Sequence, residues 1–315
     1  LPIKNNNFFE NRYRKNINDK KRKEIKKNFL NRKNTDPFIS FLFENFSSFI
    51  PLSFVENFLE IRKDVKNYCK EKKIIVSTYS YHGNEVFRTF LAEAKLKGSR
   101  LFLTQHGGGL ESKLNFYEEY PLELFDKKIV FSKRNISKSV KILPTSLPLT
   151  SINKNIIRKN LTLAITEYRQ FPLNIAADLL YEERNQNTES LFSNIKILKP
   201  EIQNQLRIRR KDTYKISFFK YLFKKIYKNN ENLLTSPNKN FKEILNESKI
   251  IIHNHSSTAF SESMYHNIPT LLILDTKKVL FDQESIRMIK ILKKNKIVFE
   301  NYNQLFNHVN KVWNK

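Results

Sequence analysis

The sequence predicts an α/β fold in two domains, and three observations carry that expectation. The chain has 315 residues, more than one compact domain usually holds. Short β-rich runs such as Ile74–Tyr79 and Leu161–Ile165 lack strict apolar–polar alternation, as expected of strands buried on both faces of a parallel sheet. Segments with helical apolar spacing lie between such runs, so strand and helix alternate along the chain.

Taken in order, residues 1–36 are dominated by Lys, Arg and Asn and read as a basic arm, with a helix possible over Asp19–Leu30. Residues 37–150 read as a first α/β domain. Phe54, Phe58, Leu59 and Ile61 suit a helix face that starts just after Pro51. After the strand Ile74–Tyr79, a helix is predicted over Glu85–Lys97 and stopped by Gly98. Leu101–Thr104, Lys128–Ser132 and Val140–Leu143 are the next strands predicted. Pro144 and Pro148 mark a linker. Residues 151–315 read as a second α/β domain, with strands at Leu161–Ile165, Ile195–Leu198, Lys249–His253 and Thr270–Leu274. Helices are predicted over Leu173–Glu183, Lys211–Asn230, Thr258–His266, Gln283–Lys294 and Tyr302–Trp313.

Composition narrows the class. Cys69 is the single cysteine, which excludes an intramolecular disulfide framework and points to a reducing compartment. The net charge of +26 attracts polyanions, but Lys, Asn and Ile are abundant throughout, so much of that charge is expected to be solvated surface. RNA-recognition, helix-turn-helix and zinc motifs are lacking, which argues against nucleic acid as partner. The most apolar stretch, Phe38–Ile61, is broken by Glu44, Asn45, Pro51 and Glu56, so no run approaches the ~20 apolar residues of a spanning helix. The N-terminus carries no secretory signal pattern, and Leu1 in place of an initiator Met reads as a processed or truncated chain.

Two segments carry chemistry. In Gln105-His106-Gly107-Gly108-Gly109, three of the 5 glycines follow an apolar strand, where parallel α/β sheets place ligands. Glycine lets the backbone approach a ligand closely, and an imidazole there can act as a general base. A tight turn with a surface His is the plainer alternative. The spacing is neither a P-loop nor a dinucleotide fingerprint.

The second segment runs from His253 to Pro269. An apolar strand enters a hydroxyl-rich turn, Ser256-Ser257-Thr258, which opens a helix. Free N–H groups and the helix dipole make such a start an anion site. Glu262 lies one turn further on and can accept ribose hydroxyls of a nucleotide whose diphosphate sits at the helix start. Ordinary N-capping with a solvated Glu is the competing reading. His82, after the first strand, can line the same cleft as His106. Lys199 and Arg169, each read as following a strand, can meet phosphate. His253 and His255 share a strand face but lack a nearby third ligand, so packing is preferred to a metal site.

With these motifs in place, the chain resembles bacterial surface-carbohydrate transferases. Their order of elements is matched by Pro51 to Glu56, Ile74–Thr78, Glu85–Gly98, Leu101–Gly108, Ile250–Glu262 and Asn267–Leu274. That family follows His-Gly-Gly with Asn-Tyr-Gly, whereas this chain has Gly109-Leu110-Glu111. The resemblance implies a GT-B-like pair of Rossmann-like domains facing across a cleft, the first of them lacking its initial βα units. It implies a transferase that moves a sugar from a nucleotide-activated donor to a carbohydrate or lipid-linked acceptor. A nucleotide-sugar epimerase or a glycerophosphotransferase on the same scaffold is the alternative within that class, and a nucleic-acid-binding protein the alternative outside it. Under the resemblance His106 serves as base, with Gln105, Gly107, Gly108, Gly109 and His82 around the acceptor. Ser256, Ser257, Thr258 and Lys199 hold the diphosphate, and Glu262 the ribose. Neither cofactor nor metal is expected. The expected place is the cytoplasm, with the basic arm tuning attachment to the anionic inner face of the cytoplasmic membrane.

Overall fold

The computed structural model describes residues 16–31, 36–68, 73–78, 81, 84–104, 124–130, 139–141, 152, 156–166, 181–210, 218–228, 231–236, 238–277, 281 and 283–314. These fall into two compact units, one carrying 16–104 and 124–141, the other 152–314.

The first unit opens with four helices, α1 (Asp19–Leu30), α2 (Pro37–Phe49), α3 (Leu52–Val55) and α4 (Phe58–Tyr68). Local chemistry sets the starts. Asn18 caps α1 by accepting from the Lys21 amide at 3.0 Å. Asp36 caps α2 by accepting from the amides of Phe38 and Ile39, and Pro37 occupies the first turn, where no donor is needed. Strand β1 (Ile74–Ser77), helix α5 (Glu85–Leu96) and strands β2 (Arg100–Thr104), β3 (Lys127–Val130) and β4 (Ser139–Lys141) follow. Gly98, with φ of +84°, turns the chain out of α5. The strands are parallel and adjacent in chain order, β1-β2-β3-β4. Val86, Phe90, Leu91 and Ala94 of α5 pack with Leu101 and Leu103 of β2 and with Ile61 and Val65 of α4.

The helix expected over Asp19–Leu30 forms, and no residue of it is buried, but two side chains tie it to the helices that follow. Arg22 of α1 forms a bidentate pair with Glu56, Nε on Oε1 and Nη2 on Oε2, both at 2.8 Å. Its Nη1 donates to the carbonyls of Ser47 and Ile50. The Asn18 amide donates to Glu56 Oε1 at 3.0 Å, and Phe29 meets Phe43 at a tilt and Phe46 edge-on. The guanidinium fork holds the Glu56 carboxyl down at about 2, against the cost of burial. A buried charge persists when it is paired and hydrogen-bonded, and Arg22 completes that pairing from 34 positions away.

The second unit contains β5 (Asn160–Ile165), α6 (Tyr181–Asn194), α7 (Pro200–Gln203), β6 (Leu206–Arg210), α8 (Phe218–Tyr227), α9 (Phe241–Glu247), β7 (Ser248–His253), α10 (Thr258–Tyr265), β8 (Thr270–Ile273), α11 (Gln283–Lys294), β9 (Val298–Phe299) and α12 (Tyr302–Val312). Its strands are parallel in the order β6-β5-β7-β8-β9. Both faces are covered. Leu161, Leu163 and Ile165 pack against Leu305, Phe306 and Val309 of α12 on one side. Ala164 and Ile251 pack against Leu245 and Ile268 on the other.

Two sequence expectations change here. Ile195–Leu198 is not a strand: Ile195–Ile197 forms a 3-10 turn that carries α6 into the core. Asn310 of α12 fixes that turn, donating to the Ile197 carbonyl at 2.8 Å and accepting from the Lys199 amide at 3.0 Å. The sheet position belongs to β6, Leu206-Arg207-Ile208-Arg209-Arg210, and only α8 remains of the long basic helix expected over 211–230 among the described residues. Most of the helix expected over 173–183 lies outside the described residues. Among the described residues no helix is long and apolar enough to cross a membrane.

Candidate functional site

The order β6-β5-β7 contains a change of direction. From β5 the chain moves to one side to build β6, then crosses back to the other side to build β7. In open parallel sheets ligands bind beyond the carboxyl ends of the strands at such a point. The carboxyl ends of β5 and β7 are fastened there by one side chain. Asn254 accepts from the Thr166 amide at 2.8 Å and donates to the Thr166 carbonyl at 3.3 Å.

The exit of β7 is rigid. His253 is 1% exposed and lies edge-on to Phe260 and Phe241. Burial, aided by the charges of Arg209 and His255, lowers its pKa to about 3, so the ring is neutral. Ser263 donates its hydroxyl to the Ala259 carbonyl at 2.8 Å, so at 3.1 Å it accepts from His253 Nε2. The imidazole thereby ties the end of β7 to the second turn of α10. Among the described residues no group of His, Cys, Asp and Glu is arranged to hold a metal ion.

The hydroxyl-rich turn leads into α10. Ser256 is buried. Ser257 occupies the N-cap in an extended conformation, but its side chain makes no capping bond. Its carbonyl accepts from the amides of Phe260 and Ser261. The amides of Thr258 and Ala259 have no acceptor among the described residues, so two donors and the Ser257 hydroxyl remain at the positive end of the helix dipole. Asn267, with φ of 54°, closes the other end of α10, and the Ile268 amide returns to the Ser263 carbonyl at 3.0 Å.

Glu262 is 8% exposed, one turn from Thr258, and its carboxyl has no hydrogen-bond or ion-pair partner among the described residues. Burial raises its pKa, and the positive field of Arg209 opposes that rise. Arg209 is a residue that sequence reasoning missed. It lies on β6 in register with Ala164, which is in register with His253, so the three form one row across the sheet. Its guanidinium lies 4.8 Å over the Phe241 ring. The strand signal in Leu206–Arg210 could have located it, had the three arginines not hidden the run.

Lys199 is placed elsewhere. It precedes α7 and β6, with its amide on Asn310, and so sits toward the amino ends of strands whose carboxyl ends bear the Ser256–Glu262 turn. The expectation that it follows a strand fails because Ile195–Ile197 is a 3-10 turn. Gln105, His106, Gly107, Gly108, Gly109, His82 and Arg169 lie outside the described residues. Strand β2 is described as far as Thr104, whose hydroxyl donates to the Ser77 carbonyl of β1 at 3.4 Å.

No curated protein matches the sequence. Solved structures similar to this chain include that of MurG from Acinetobacter baumannii, at a TM-score of 0.42 and 12% identity over 80% of this chain and 68% of that one. They also include the glycotransferase of kitacinnamycin, at a TM-score of 0.40 and 7% identity over 82% and 75%. A model of the LIC12162 family transferases matches residues 2–315. The chain belongs to the LIC12162 family transferases and is an enzyme of group transfer.

Proposed function

We propose that this transferase moves a sugar from a nucleotide-activated donor to a surface-carbohydrate acceptor, with the donor bound at the β5–β7 switch point. One observation carries the reading. Among the described residues, the start of α10 offers free amides and hydroxyls, and the carboxyl of the largely covered Glu262, still open to solvent and without a partner, stands one turn away. A diphosphate accepts from the Thr258 and Ala259 amides and from the hydroxyls of Ser256, Ser257 and Thr258, with Arg209 supplying charge. Glu262 accepts from the ribose hydroxyls, which take the place of water on its carboxyl. The same donors stabilise the diphosphate as it departs. The proposed acceptor side is the Gln105–Gly109 segment with His82. Its place in this reading rests on the sequence, with His106 as base. Membership of a transferase family supports the reaction class, and the donor and acceptor are the proposal.

The test is calorimetry with a panel of nucleoside diphosphates. Glu262→Gln keeps the shape but weakens two charge-assisted bonds, each worth about 1.5–3 kcal/mol, so affinity falls tenfold or more. It breaks no hydrogen bond or ion pair among the described residues, so thermal stability near neutral pH stays level. Unchanged affinity in Glu262→Gln, with the fold intact, overturns the assignment. A large loss of stability would make Glu262 a structural residue.

A further inference from the structure

The two strands at the switch point send the chain to opposite faces of the sheet. Beyond β5 the chain reaches α6, whose Leu191 and Phe192 pack on the face that carries Leu271 and Ile273. Beyond β7 it enters α10, whose Phe260 packs on the other face, with Leu272 and Leu274. The two exits therefore diverge, and the crevice between them is where a parallel sheet takes its ligand. The ladder between β5 and β7 ends at Ala164 and His253. Beyond that pair, among the described residues, no backbone-to-backbone bond sets how far apart the two exits stand.

Asn254 sets it. Its side chain crosses from one exit to the other, accepting from the Thr166 amide at 2.8 Å and donating to the Thr166 carbonyl at 3.3 Å. A side-chain amide makes both bonds at once, whereas a carboxylate of the same shape lacks the donor. The clamp also takes the Thr166 N–H, so Thr166 does not compete for an anion with the open amides of Thr258 and Ala259. Asn254 stands two positions before Ser256, where the hydroxyl-rich turn begins, so a change in its seat passes directly into that turn. We infer that Asn254 is a positioning residue for group transfer: by holding the exits of β5 and β7 at one spacing, it sets where the diphosphate of the donor lies. The inference rests on the reading of the α10 start as the donor site. Asn254 acts through the backbone of that site and touches no reacting atom.

Asn310 supplies the control. It makes the same two kinds of bond to backbone, accepting from the Lys199 amide at 3.0 Å and donating to the Ile197 carbonyl at 2.8 Å, but toward the amino ends of the strands. The experiment measures the melting temperature and, well below it, the calorimetric affinity for UDP, ADP, GDP and CDP. It compares the full wild-type chain with Asn254→Ala, with Asn254→Leu, which keeps the size of the side chain and removes both bonds, and with Asn310→Ala. All three variants are expected to melt earlier. Affinity for whichever diphosphate the wild type binds falls on the order of tenfold or more in both Asn254 variants and keeps the wild-type value in Asn310→Ala. That split separates positioning from a general loss of stability, which would lower the melting temperature and leave the affinity of the folded protein alone. Wild-type affinity in either Asn254 variant, or an equal loss in Asn310→Ala, overturns the inference and leaves the donor site standing. If the wild type binds none of the four diphosphates, the donor-site reading itself fails, and this inference with it.

Discussion

In the second unit β5, β7 and β8 are buried along nearly their whole length, whereas β1 of the first unit leaves Ile74 60% and Val76 57% exposed. Both sheets are parallel, and a parallel strand is apolar on both sides because it needs cover on both. The second unit supplies that cover with α12 on one face and α9 with the α10 exit on the other. The first leaves apolar surface on β1 and on α2. Their buried charges differ in the opposite sense. Glu56 is fully paired with Arg22, while Glu262 has no partner among the described residues. The unit with the better-closed core therefore keeps a carboxyl without a partner among the described residues at the edge of that core. The unit with the satisfied ion pair leaves its apolar surface outside, on β1 and α2.

The largest test of this contrast is Glu56→Gln. Removing one member of a buried pair leaves the Arg22 guanidinium uncompensated and costs about 3–5 kcal/mol, which thermal unfolding reads directly. Glu262→Gln, with no pair to break, should show no such loss. Similar melting points for the two variants would end the comparison.

Next come the sheets themselves. Leu163 of β5 is fully buried, so Leu163→Ala opens a cavity and costs about 2–5 kcal/mol. Val76→Ser, on the uncovered side of β1, should stay within about 0.5 kcal/mol of wild type. A cost above about 1.5 kcal/mol at Val76 would mean that β1 is covered in solution.

Acid should separate the units. The Glu56 carboxyl is held at about 2 in the fold against 4.5 ordinarily. Its contribution is therefore complete above pH 4.5 and is lost as pH falls towards 2. His253 is held at about 3 against 6.5. The unfolded chain takes up that proton first, so the second unit loses stability from pH 6.5 downward. Glu262 is shifted upward and opposes this, gaining stability as pH falls, so the experiment is best run in Glu262→Gln. Trp313, the single tryptophan, is buried in the second unit. Its emission should shift at a higher pH than that at which amides of α1 to α4 lose exchange protection. The reverse order would contradict the assignment of these two groups.

The smallest expected effect is at Ser257. A side chain that caps a helix is worth about 1 kcal/mol, but Ser257 makes no capping bond. Ser257→Ala should leave the melting point unchanged and weaken only nucleoside-diphosphate binding. A drop in stability with unchanged binding would restore the ordinary N-cap.

Much of this architecture is legible in the chain. The strands at Ile74–Ser77, Asn160–Ile165, Ser248–His253 and Thr270–Ile273, and the helices α5, α10, α11 and α12, lie where periodicity and punctuation predict them. Strand β6 was not legible, because Leu206-Arg207-Ile208-Arg209-Arg210 has two apolar residues among three arginines. Ile195–Leu198 misled in the other direction. A four-residue apolar run has no period of its own, and packing made it the end of a helix. At the site, the Ser256–Thr258 turn and Glu262 could be read from the strand-to-helix pattern. Asn254 and Arg209 could not, since their partners, Thr166 and Phe241, lie on distant elements.

The sequence by itself determined the class of fold, the position of the hydroxyl-rich helix start and the excess of positive charge, because each is a property of neighbouring residues or of composition. Tertiary structure decided which charges are paired, which are exposed and which stand together at the carboxyl ends of the strands. Arg22 reaches Glu56 across 34 positions, Asn254 joins Thr166 across 88, and Lys199 falls at the amino ends of the strands while Arg209 joins the row with His253. The cost of burying a charge depends on which distant groups surround it, and only strand order and helix packing bring those groups together.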